Sequence, residues 1–371
     1  MMMVNNPKRI LHIVGAMNRA GTETMLMNIY RNIERKKVQF DFISYSQQDA
    51  HYDEEIRSLG GKVIKLSKTQ SIKELVQTIK ENGPYDAVHS HTLFHCGTAN
   101  IAAKLAGIKI RIAHAHTTLD HSNSVIRKFY IKVMRNIILN FSTHYLACSN
   151  QAGRYLFGEM VLRKPNYTFF PNLIDYKNFI EIDTDKVEQF KKEAGLEGSK
   201  IVGHIGRFIE PKNHKFLLDV LKNLIKRDSK IKLLLVGDGD LRQEIEEQAK
   251  IEGLYNHIKF VGVRSDISTI LHSMDVFVFP SIYEGLGLVL LEAQASGVPC
   301  IVSEAIQPEA DLKIDLVSRV HLEDGTVAWA NKILEVMGKK ESNKDKIISG
   351  FEKNGYEVQK GISNLMELYQ I

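Results

Sequence analysis

The sequence predicts an α/β protein made of two doubly wound domains, each a parallel sheet with helices on both faces. Three observations lead there. Short β-branched runs alternate with segments of helical spacing, the order that builds parallel sheets through crossover connections. The alternation runs from Ile10 to Cys148 and restarts at Ile201. The chain has 371 residues, and at roughly 100–200 residues per domain that suits two domains.

The elements follow in order. Ile10–Val14 reads as a buried strand, Gly15–Gly21 as a loop, and Thr22–Asn32 as a helix with Met25, Ile29 and Ile33 on one face. Gln39–Ser44 and Lys62–Leu66 are the next strands. Ile72–Glu81 is a helix stopped by Asn82-Gly83-Pro84, since proline lacks an N–H and restricts the residue before it. The strand Ala87–His89, the helix Thr98–Ala106, the strand Arg111–Ala115, the helix Val125–Leu139 and the strand His144–Cys148 complete the first half. In the second half the strand Ile201–Ile205 precedes a helix from His214 to Arg227, a strand Lys232–Val236 and a helix Leu241–Glu252. Strands follow at His257–Val261, Val276–Phe279 and Cys300–Ser303, with the helix Leu288–Ala295 between the last two. The boundary is expected near Pro171-Asn172-Leu173-Ile174-Asp175, and the acidic stretch Ile180–Gly198 reads as a connector plus one helix. The predicted parts are residues 1–172, residues 173–352 and a terminal segment, 353–371. No repeat or low-complexity tract interrupts them. Doubly wound domains bind ligands at the carboxyl ends of their strands. If two such crevices face each other, the active site lies in the cleft between domains.

Apolar residues make up 44% and charged residues 25% of the chain, ordinary values that exclude a disordered chain and a disulfide scaffold. Cys96, Cys148 and Cys300 form no C-x-x-C pair, so a zinc ribbon and a thioredoxin-like redox site are excluded and a reducing compartment fits. No apolar run approaches the roughly 18 residues that cross a membrane, and the run at Ile10–Val14 is too short for a signal sequence. The expectation is a cytoplasmic protein. Its net charge of +5 is uneven. Residues 1–172 carry 23 Lys and Arg against 12 Asp and Glu, or +11, and the remainder carries −6. The first half is therefore expected to face something anionic, with nucleic acid, anionic lipid and a phosphorylated substrate all open on charge alone.

The most informative segment runs from Pro280 to Pro299. A strand ends at Phe279, a loop holds Glu284, Gly285 and Gly287, and a helix then carries Glu292 one turn in. Free N–H groups at a helix start suit phosphate, and glycines let the backbone approach a ligand. A carboxylate can accept from two vicinal hydroxyls at once, so the two glutamates suit a hydroxyl-rich ligand. By spacing alone they equally describe a loop end and a solvated helix residue. Gly206-Arg207-Phe208 and Lys212-Asn213 follow the first strand of this half, so Arg207 and Lys212 fall at the same sheet edge and can neutralise a diphosphate. Two solvated surface cations would read the same way, and Lys212 is expected to be exposed. Asp238-Gly239-Asp240 invites a divalent metal, but Leu241-Arg242-Gln243-Glu244 continues as a helix, so Asp240 is read as its N-cap.

These segments, with Val236-Gly237-Asp238-Gly239 and the turn Phe260-Val261-Gly262-Val263-Arg264-Ser265-Asp266, occur in order. Together they resemble the retaining family 4 glycosyltransferases of GT-B fold, across essentially the whole chain. Met17-Asn18-Arg19-Ala20-Gly21-Thr22-Glu23-Thr24-Met25 is similar to the start of bacterial exopolysaccharide and capsule enzymes. The resemblance implies two Rossmann-like domains facing across a cleft, a metal-independent transfer of a hexosyl unit from a nucleotide sugar, UDP-linked, and no cofactor. It implies a lipid-diphosphate-linked saccharide as acceptor and no nucleic acid as partner. It places Arg207 and Lys212 on the donor diphosphate, Glu284 on the donor sugar, Glu292 on the ribose, Gly287 and Leu288 at the distal phosphate, and Val263 and Arg264 beside the base.

In the first half the loop Gly15–Glu23 resembles the family's glycine-rich loop, with Ala20-Gly21 where Gly-Gly is common. Gly21 would offer its N–H to phosphate. Histidines cluster at positions 89, 91, 95, 114, 116 and 121. Residues i and i+2 of a strand share a face, so His89-x-His91 and His114-x-His116 have the geometry of a metal site. No acidic or cysteine partner sits at a suitable interval, so no metal is expected. The resemblance instead sets His116 against the donor sugar as a catalytic residue and His91 near the acceptor. Val125–Leu139 is basic and amphipathic, with Lys128, Lys132 and Arg135 on one face and Ile126, Phe129, Val133 and Ile137 as an apolar stripe. It reads either as a helix packed on the sheet or as a contact with an anionic membrane surface, which would place the protein at the inner face of the plasma membrane.

The rival readings are a UDP-sugar 2-epimerase of the same fold, which needs no acceptor, and a non-catalytic nucleotide-sugar-binding protein. Arg207, Lys212, Glu284 and Glu292 occurring together argue against the latter. An oxidoreductase is disfavoured because no G-x-G-x-x-G follows the first strand.

Overall fold

The computed structural model describes residues 6–66, 71–118 and 124–371. The chain divides into two compact units, one made of residues up to Ile174 with Gly355–Ile371, the other of Asp175–Asn354.

The first unit holds a seven-stranded parallel sheet: β1 (Lys8–Val14), β2 (Val38–Ser44), β3 (Val63–Lys65), β4 (Ala87–Ser90), β5 (Ile110–Ala115), β6 (His144–Ala147) and β7 (Tyr167–Phe169). Their order is β3-β2-β1-β4-β5-β6-β7. The order reverses between β1 and β4, the position where doubly wound sheets open a crevice at their strand carboxyl ends. Side chains alternate across the sheet. Ile10 and Val14 enter one apolar cluster with Met25, Phe40 and Phe42. Leu11 and Ile13 enter another with Ile43, Leu75, Val88 and Ala99. His12 falls between Ile10 and Val14 in this alternation and so shares their face. The terminal helix Val358–Tyr369 brings Leu365 and Tyr369 into the first cluster. It packs closely because Gly361 has no side chain; a Cβ there would lie 2.3 Å from Leu173 Cδ1.

The second unit holds a six-stranded parallel sheet: β8 (Lys200–Ile205), β9 (Ile231–Val236), β10 (Ile258–Phe260), β11 (Val276–Phe279), β12 (Cys300–Val302) and β13 (Val317–Arg319). The order is β10-β9-β8-β11-β12-β13, with its reversal between β8 and β11. Val202, Leu233, Leu235, Val276 and Val278 supply one buried face, closed by Leu217 and Leu221 of the helix His214–Ile225 and by Trp329. Fully burying each such side chain contributes about 1.5–3 kcal/mol. Parallel strands buried on both faces read as continuous apolar runs, which is why Ile231-Lys232-Leu233-Leu234-Leu235-Val236 lacks a polar alternation.

Candidate active site

Because every strand of the second unit is parallel to its neighbours, its loops gather at one carboxyl edge. The loop after β8 carries Arg207 and Lys212, and the loop after β11 carries Glu284. Ile282 N–H donates to Pro211 O at 2.8 Å, and Asn213 Nδ2 donates to Pro280 O at 3.2 Å. This lacing brings the Lys212 ammonium onto Glu284 Oε1 as an ion pair, with the two side chains only 16% and 14% exposed. Lys212 is thus half-buried, where exposure was expected; the two laced loops cover its stem. Ser281 Oγ donates to the same carboxylate oxygen at 3.0 Å. Lys212 Nζ also stands 4.5 Å from the centre of the Phe279 ring, a cation–π contact. Arg207 is exposed, and its guanidinium has no partner among the described residues.

The loop after β9 is pressed backbone to backbone against the loop after β8. Gly237 has φ +129°, and a Cβ on it would fall 2.1 Å from Gly206 O. Phe208 N–H donates to Asp238 O at 3.0 Å, and Gly237 N–H to Gly262 O at 2.8 Å. The expected N-cap at Asp240 is not found. The helix starts at Arg242, Leu241 precedes it without a side-chain cap, and the nearby carboxylate of Asp238 accepts from Gly239 N–H instead.

Gly287, at φ 86°, precedes the helix Leu288–Ala295, which has no side-chain cap. Leu290 N–H donates to Gly287 O at 2.9 Å, which leaves the N–H groups of Leu288 and Val289 to meet an anion at this edge. Glu292 lies in the second turn, buried, and burial pushes its carboxyl up to about 7. In the loop after β10, Val263 is exposed, whereas Arg264 is held by Asp266 through two bonds of 2.8 and 2.6 Å.

In the first unit Gly21 opens the helix Gly21–Asn32 after β1, exposed, and an added Cβ would touch nothing within 4 Å. No packing among the described residues requires glycine there. His116 follows β5 and belongs to a stacked cluster with His12, His89, His91 and His114. Two hydrogen-bonded chains run through it. His12 Nδ1 meets His91 Nε2 at 3.1 Å, and His91 Nδ1 meets His116 Nε2 at 2.9 Å. Tyr369 Oη meets His89 Nδ1 at 2.8 Å, and His89 Nε2 meets His114 Nδ1 at 3.2 Å. Burial lowers His12 and His116 to about 3, with Asn172 opposing the drop at His116. Burial first, then neighbouring imidazoles, push His89, His91 and His114 well below their ordinary value. All five rings are neutral at pH 7, so His116 offers hydrogen bonds rather than a cation. His121 lies outside the described residues.

The basic helix spans Val125–Phe141. Its inward face shares only Ile137 with the expected stripe. Met134, Ile137 and Ile138 approach Gly97, while Val125, Ile126 and Phe129 are 81%, 82% and 69% exposed. Arg135 does not share the outer face of Lys128 and Lys132. Its guanidinium donates to the carbonyls of Tyr155, at 2.6 Å, and Leu156, at 3.3 Å.

Two family models divide the chain: "Glycosyltransferase Family 4" matches residues 19–178 and "Glycosyl transferases group 1" matches residues 185–353. EpsF of Bacillus subtilis (strain 168), a protein carrying a glycosyltransferase name, is 38% identical, with 100% of this chain and 98% of that one covered. The chain belongs to the glycosyltransferases. A "Capsular polysaccharide biosynthesis glycosyltransferase CapH" of Staphylococcus aureus is 30% identical over 97% of this glycosyltransferase and 98% of its own length. A "UDP-Gal:alpha-D-GlcNAc-diphosphoundecaprenol alpha-1,3-galactosyltransferase" of Escherichia coli is 26% identical over 82% and 80%. The structure of Anabaena Alr3699/HepE in complex with UDP-glucose is 18% identical, covers 98% of this chain and 99% of its own, and superposes with a TM-score of 0.79. That likeness establishes the GT-B fold.

In this glycosyltransferase the second unit assembles Arg207, Lys212, Glu284, Gly287, Leu288 and Glu292 on the loops and helix starts of β8 and β11, the two strands at its order reversal. Val263 and Arg264 lie two strands away, after β10. Gly21 and His116 stand at the carboxyl edge of the other sheet. Sequence reasoning missed Ser281 and Phe279, which hold the Lys212–Glu284 pair, and His12, Tyr369 and Asn172, which surround the histidines. The i, i+2 pattern could not reveal His12, because its neighbours come from β4, placed beside β1 only by the sheet order; in that register His12 faces His89.

Proposed function

We propose that this glycosyltransferase is a retaining enzyme that moves a hexosyl unit from a UDP-sugar to a lipid-linked saccharide during capsule or exopolysaccharide synthesis, without a metal. The observation that carries the donor half is the Lys212–Glu284 pair, with Arg207 on the same loop and an uncapped helix start at Gly287 and Leu288. Lys212 and Arg207 supply two positive charges for a diphosphate, and the first-turn N–H groups add donors for its distal phosphate. When the donor enters, the ammonium turns to the diphosphate and releases Glu284 to accept from sugar hydroxyls. Glu292 accepts from the ribose, and Val263 offers an apolar contact to the base, with Arg264 beside it. Gly21 gives its N–H to phosphate, and neutral His116 hydrogen-bonds the donor sugar. In the transfer the bond from the anomeric carbon to the diphosphate oxygen breaks. A bond to the acceptor hydroxyl oxygen forms on the same face, and the hydroxyl proton leaves with the diphosphate. Lys212 stabilises the negative charge that grows on the leaving group.

The acceptor half rests on the galactosyltransferase relative, whose name specifies a diphosphoundecaprenol-linked substrate, and on the helix Val125–Phe141. Its exposed Ile126 and Phe129 lie beside Lys128 and Lys132, the composition of a helix that rests on an anionic bilayer. The test is a donor panel scored for released nucleoside diphosphate, first by slow hydrolysis and then with lipid-diphosphate-linked acceptors. One UDP-sugar should stand out and acceptor should accelerate release. Release from no UDP-sugar would overturn the donor assignment.

A further inference from the structure

We propose that His91, His114 and His116 form a binding site for a divalent transition-metal ion, zinc foremost. Each of the three can offer one ring nitrogen, and those nitrogens lie within 4.8 Å of one another. His91 Nδ1 and His116 Nε2 are 2.9 Å apart. Zinc with nitrogen ligands at about 2.0–2.1 Å in a tetrahedron has edges of roughly 3.3 Å. A small outward shift therefore turns this hydrogen bond into one edge of a coordination sphere. The third nitrogen, His114 Nε2, is buried without a hydrogen-bond partner among the described residues. Buried polar atoms are normally satisfied, so this orphan asks for an explanation, and a metal ion provides one.

The outer nitrogens complete the argument. A metal-binding histidine donates its other ring N–H to a fixed acceptor, which sets its tautomer and orientation. His114, ligating through Nε2, carries its proton on Nδ1 and donates to His89 Nε2 at 3.2 Å; His89 then donates from Nδ1 to Tyr369 Oη at 2.8 Å. His91, ligating through Nδ1, donates from Nε2 to His12 Nδ1 at 3.1 Å. His116, ligating through Nε2, keeps its proton on Nδ1, which is buried near Asn172 and, like Asn172 Oδ1, has no hydrogen-bond partner among the described residues. One assignment of protons thus gives His91 and His114 a fixed acceptor each.

A deeper set, His12, His89 and His91, meets the same distance criterion. It is the weaker choice because both ring nitrogens of His89 are already bonded. His91 and His116 are partly exposed and His114 is buried, so the ion enters from the carboxyl edge of the sheet. Three imidazoles suit zinc, copper or nickel rather than magnesium or calcium. They leave a fourth position open and the ion's charge uncompensated, which favours hydroxide or an anionic oxygen there. Binding stands apart from the proposed function. One consequence does rest on it: a metal that takes His116 removes it from the donor sugar, so zinc inhibits transfer.

The experiment uses the full chain, stripped with a chelator and desalted, then titrated with Zn²⁺ alone by calorimetry and with Co²⁺ alone by visible absorption. One equivalent should bind, Co²⁺ should show the intense bands of a four-coordinate site, and Mg²⁺ should not compete. His114→Gln should weaken binding by about 100-fold or more, and His12→Asn, which removes only an acceptor behind His91, by about 10-fold. His116→Gln, at a partly exposed position, replaces His114→Gln if the latter does not fold. Absence of binding at high-micromolar zinc, or equal binding by parent and ligand variants, overturns the site. Stoichiometric binding with unchanged transfer supports the site and overturns the role of His116 in transfer.

Discussion

Lys212 and Glu284, 72 residues apart in sequence, meet as an ion pair whose two side chains are 16% and 14% exposed. Phe279 lies under the ammonium and Ser281 donates to the carboxylate, so both charges are positioned before any ligand arrives. Removing one partner of such a pair strands the other charge in a poorly solvated place. Lys212→Ala should reduce turnover roughly a hundredfold, equivalent to about 3 kcal/mol of transition-state stabilisation. It should also lower the unfolding temperature, because Glu284 loses its counter-charge. Adding Glu284→Gln should recover part of that temperature but none of the activity. Unchanged turnover in Lys212→Ala would sink the assignment, and so would a double variant less stable than the single one.

The donor chemistry should run without a metal. Asp238 and Asp240 are both exposed, and the Asp238 carboxylate accepts from Gly239 N–H within its own loop. In the proposed function Arg207 and Lys212 supply the positive charge that a metal would otherwise bring. UDP release should persist in EDTA, and rise where zinc had been bound at the histidines. Loss of release in EDTA, restored by Mg²⁺ or Mn²⁺, would overturn this reading.

Glu292 should give the stability a specific pH dependence. Burial raises its carboxyl from 4.5 to about 7. Between those values the unfolded chain has lost the proton while the folded chain keeps it, so stability falls as pH rises through the window and is level above it. The integrated change is roughly 3 kcal/mol. Glu292→Gln should remove this slope from the unfolding temperature between those pH values. Ribose hydroxyls donate better to a carboxylate than to an acid, so UDP affinity should rise through pH 7 in the parent, where Glu292 ionises, and be flat in the variant. Parallel pH profiles of the two proteins would refute the burial argument.

The strands were legible because a parallel strand buried on both faces leaves a run of β-branched and aromatic residues, unbroken in Val276–Phe279 and broken only by Gly203-His204 in Ile201–Ile205. The short strands Tyr167–Phe169 and Val317–Arg319 were not. Each has three half-exposed or exposed residues and no periodicity to detect. At the site, glycine spacing and charge brought out Arg207, Lys212 and Glu284, but not their pairing, which depends on β8 lying next to β11. The helix Val125–Phe141 was misread for a different reason. It is apolar on two faces, and Ile126, Phe129 and Val133 match helical spacing with Ile137 as well as Met134 and Ile138 do. Only the packing against Gly97 distinguishes the inner face.

Gly237 should tolerate no side chain. Its φ of +129° is unfavourable for an L residue, and the Cβ of Gly237→Ala would fall 2.1 Å from the carbonyl oxygen of Gly206. That neighbour is backbone and cannot turn aside, so the loops after β8 and β9 must separate. Backbone strain of this kind costs about 1–3 kcal/mol before the clash is counted. The displaced loop is the one that carries Arg207 and Lys212. Gly237→Ala should therefore lower both the unfolding temperature and the affinity for UDP, measured by thermal unfolding and calorimetry. Gly253→Ala is the control: it shares a positive φ of 70° but has nothing within 4 Å. It should show backbone strain alone, with UDP affinity unchanged. Equal losses of affinity in the two variants would remove the link between the loop and the donor.

The outer face of the helix Val125–Phe141 makes the proposed contact with an anionic bilayer testable. Lys128 and Lys132 are exposed beside Ile126 and Phe129, whereas Arg135 is engaged with the carbonyls of Tyr155 and Leu156. Lys128→Gln with Lys132→Gln should weaken binding to anionic vesicles by about 1 kcal/mol per residue, less as salt is raised. Ile126→Ser with Phe129→Ser should weaken it further and leave the unfolding temperature nearly unchanged, because those side chains are 82% and 69% exposed. Arg135→Gln should behave in the opposite way. It removes donors from two carbonyls and lowers the unfolding temperature, with little effect on vesicle binding. Arg207, Lys212 and Glu284 lie on the other unit, so transfer to a short soluble acceptor should survive the lysine and apolar changes, while transfer to a vesicle-embedded acceptor should fall. If the parent does not bind anionic vesicles at low salt, the helix has no membrane role. The +11 charge of residues 1–172 would then be matched to the diphosphate of the acceptor.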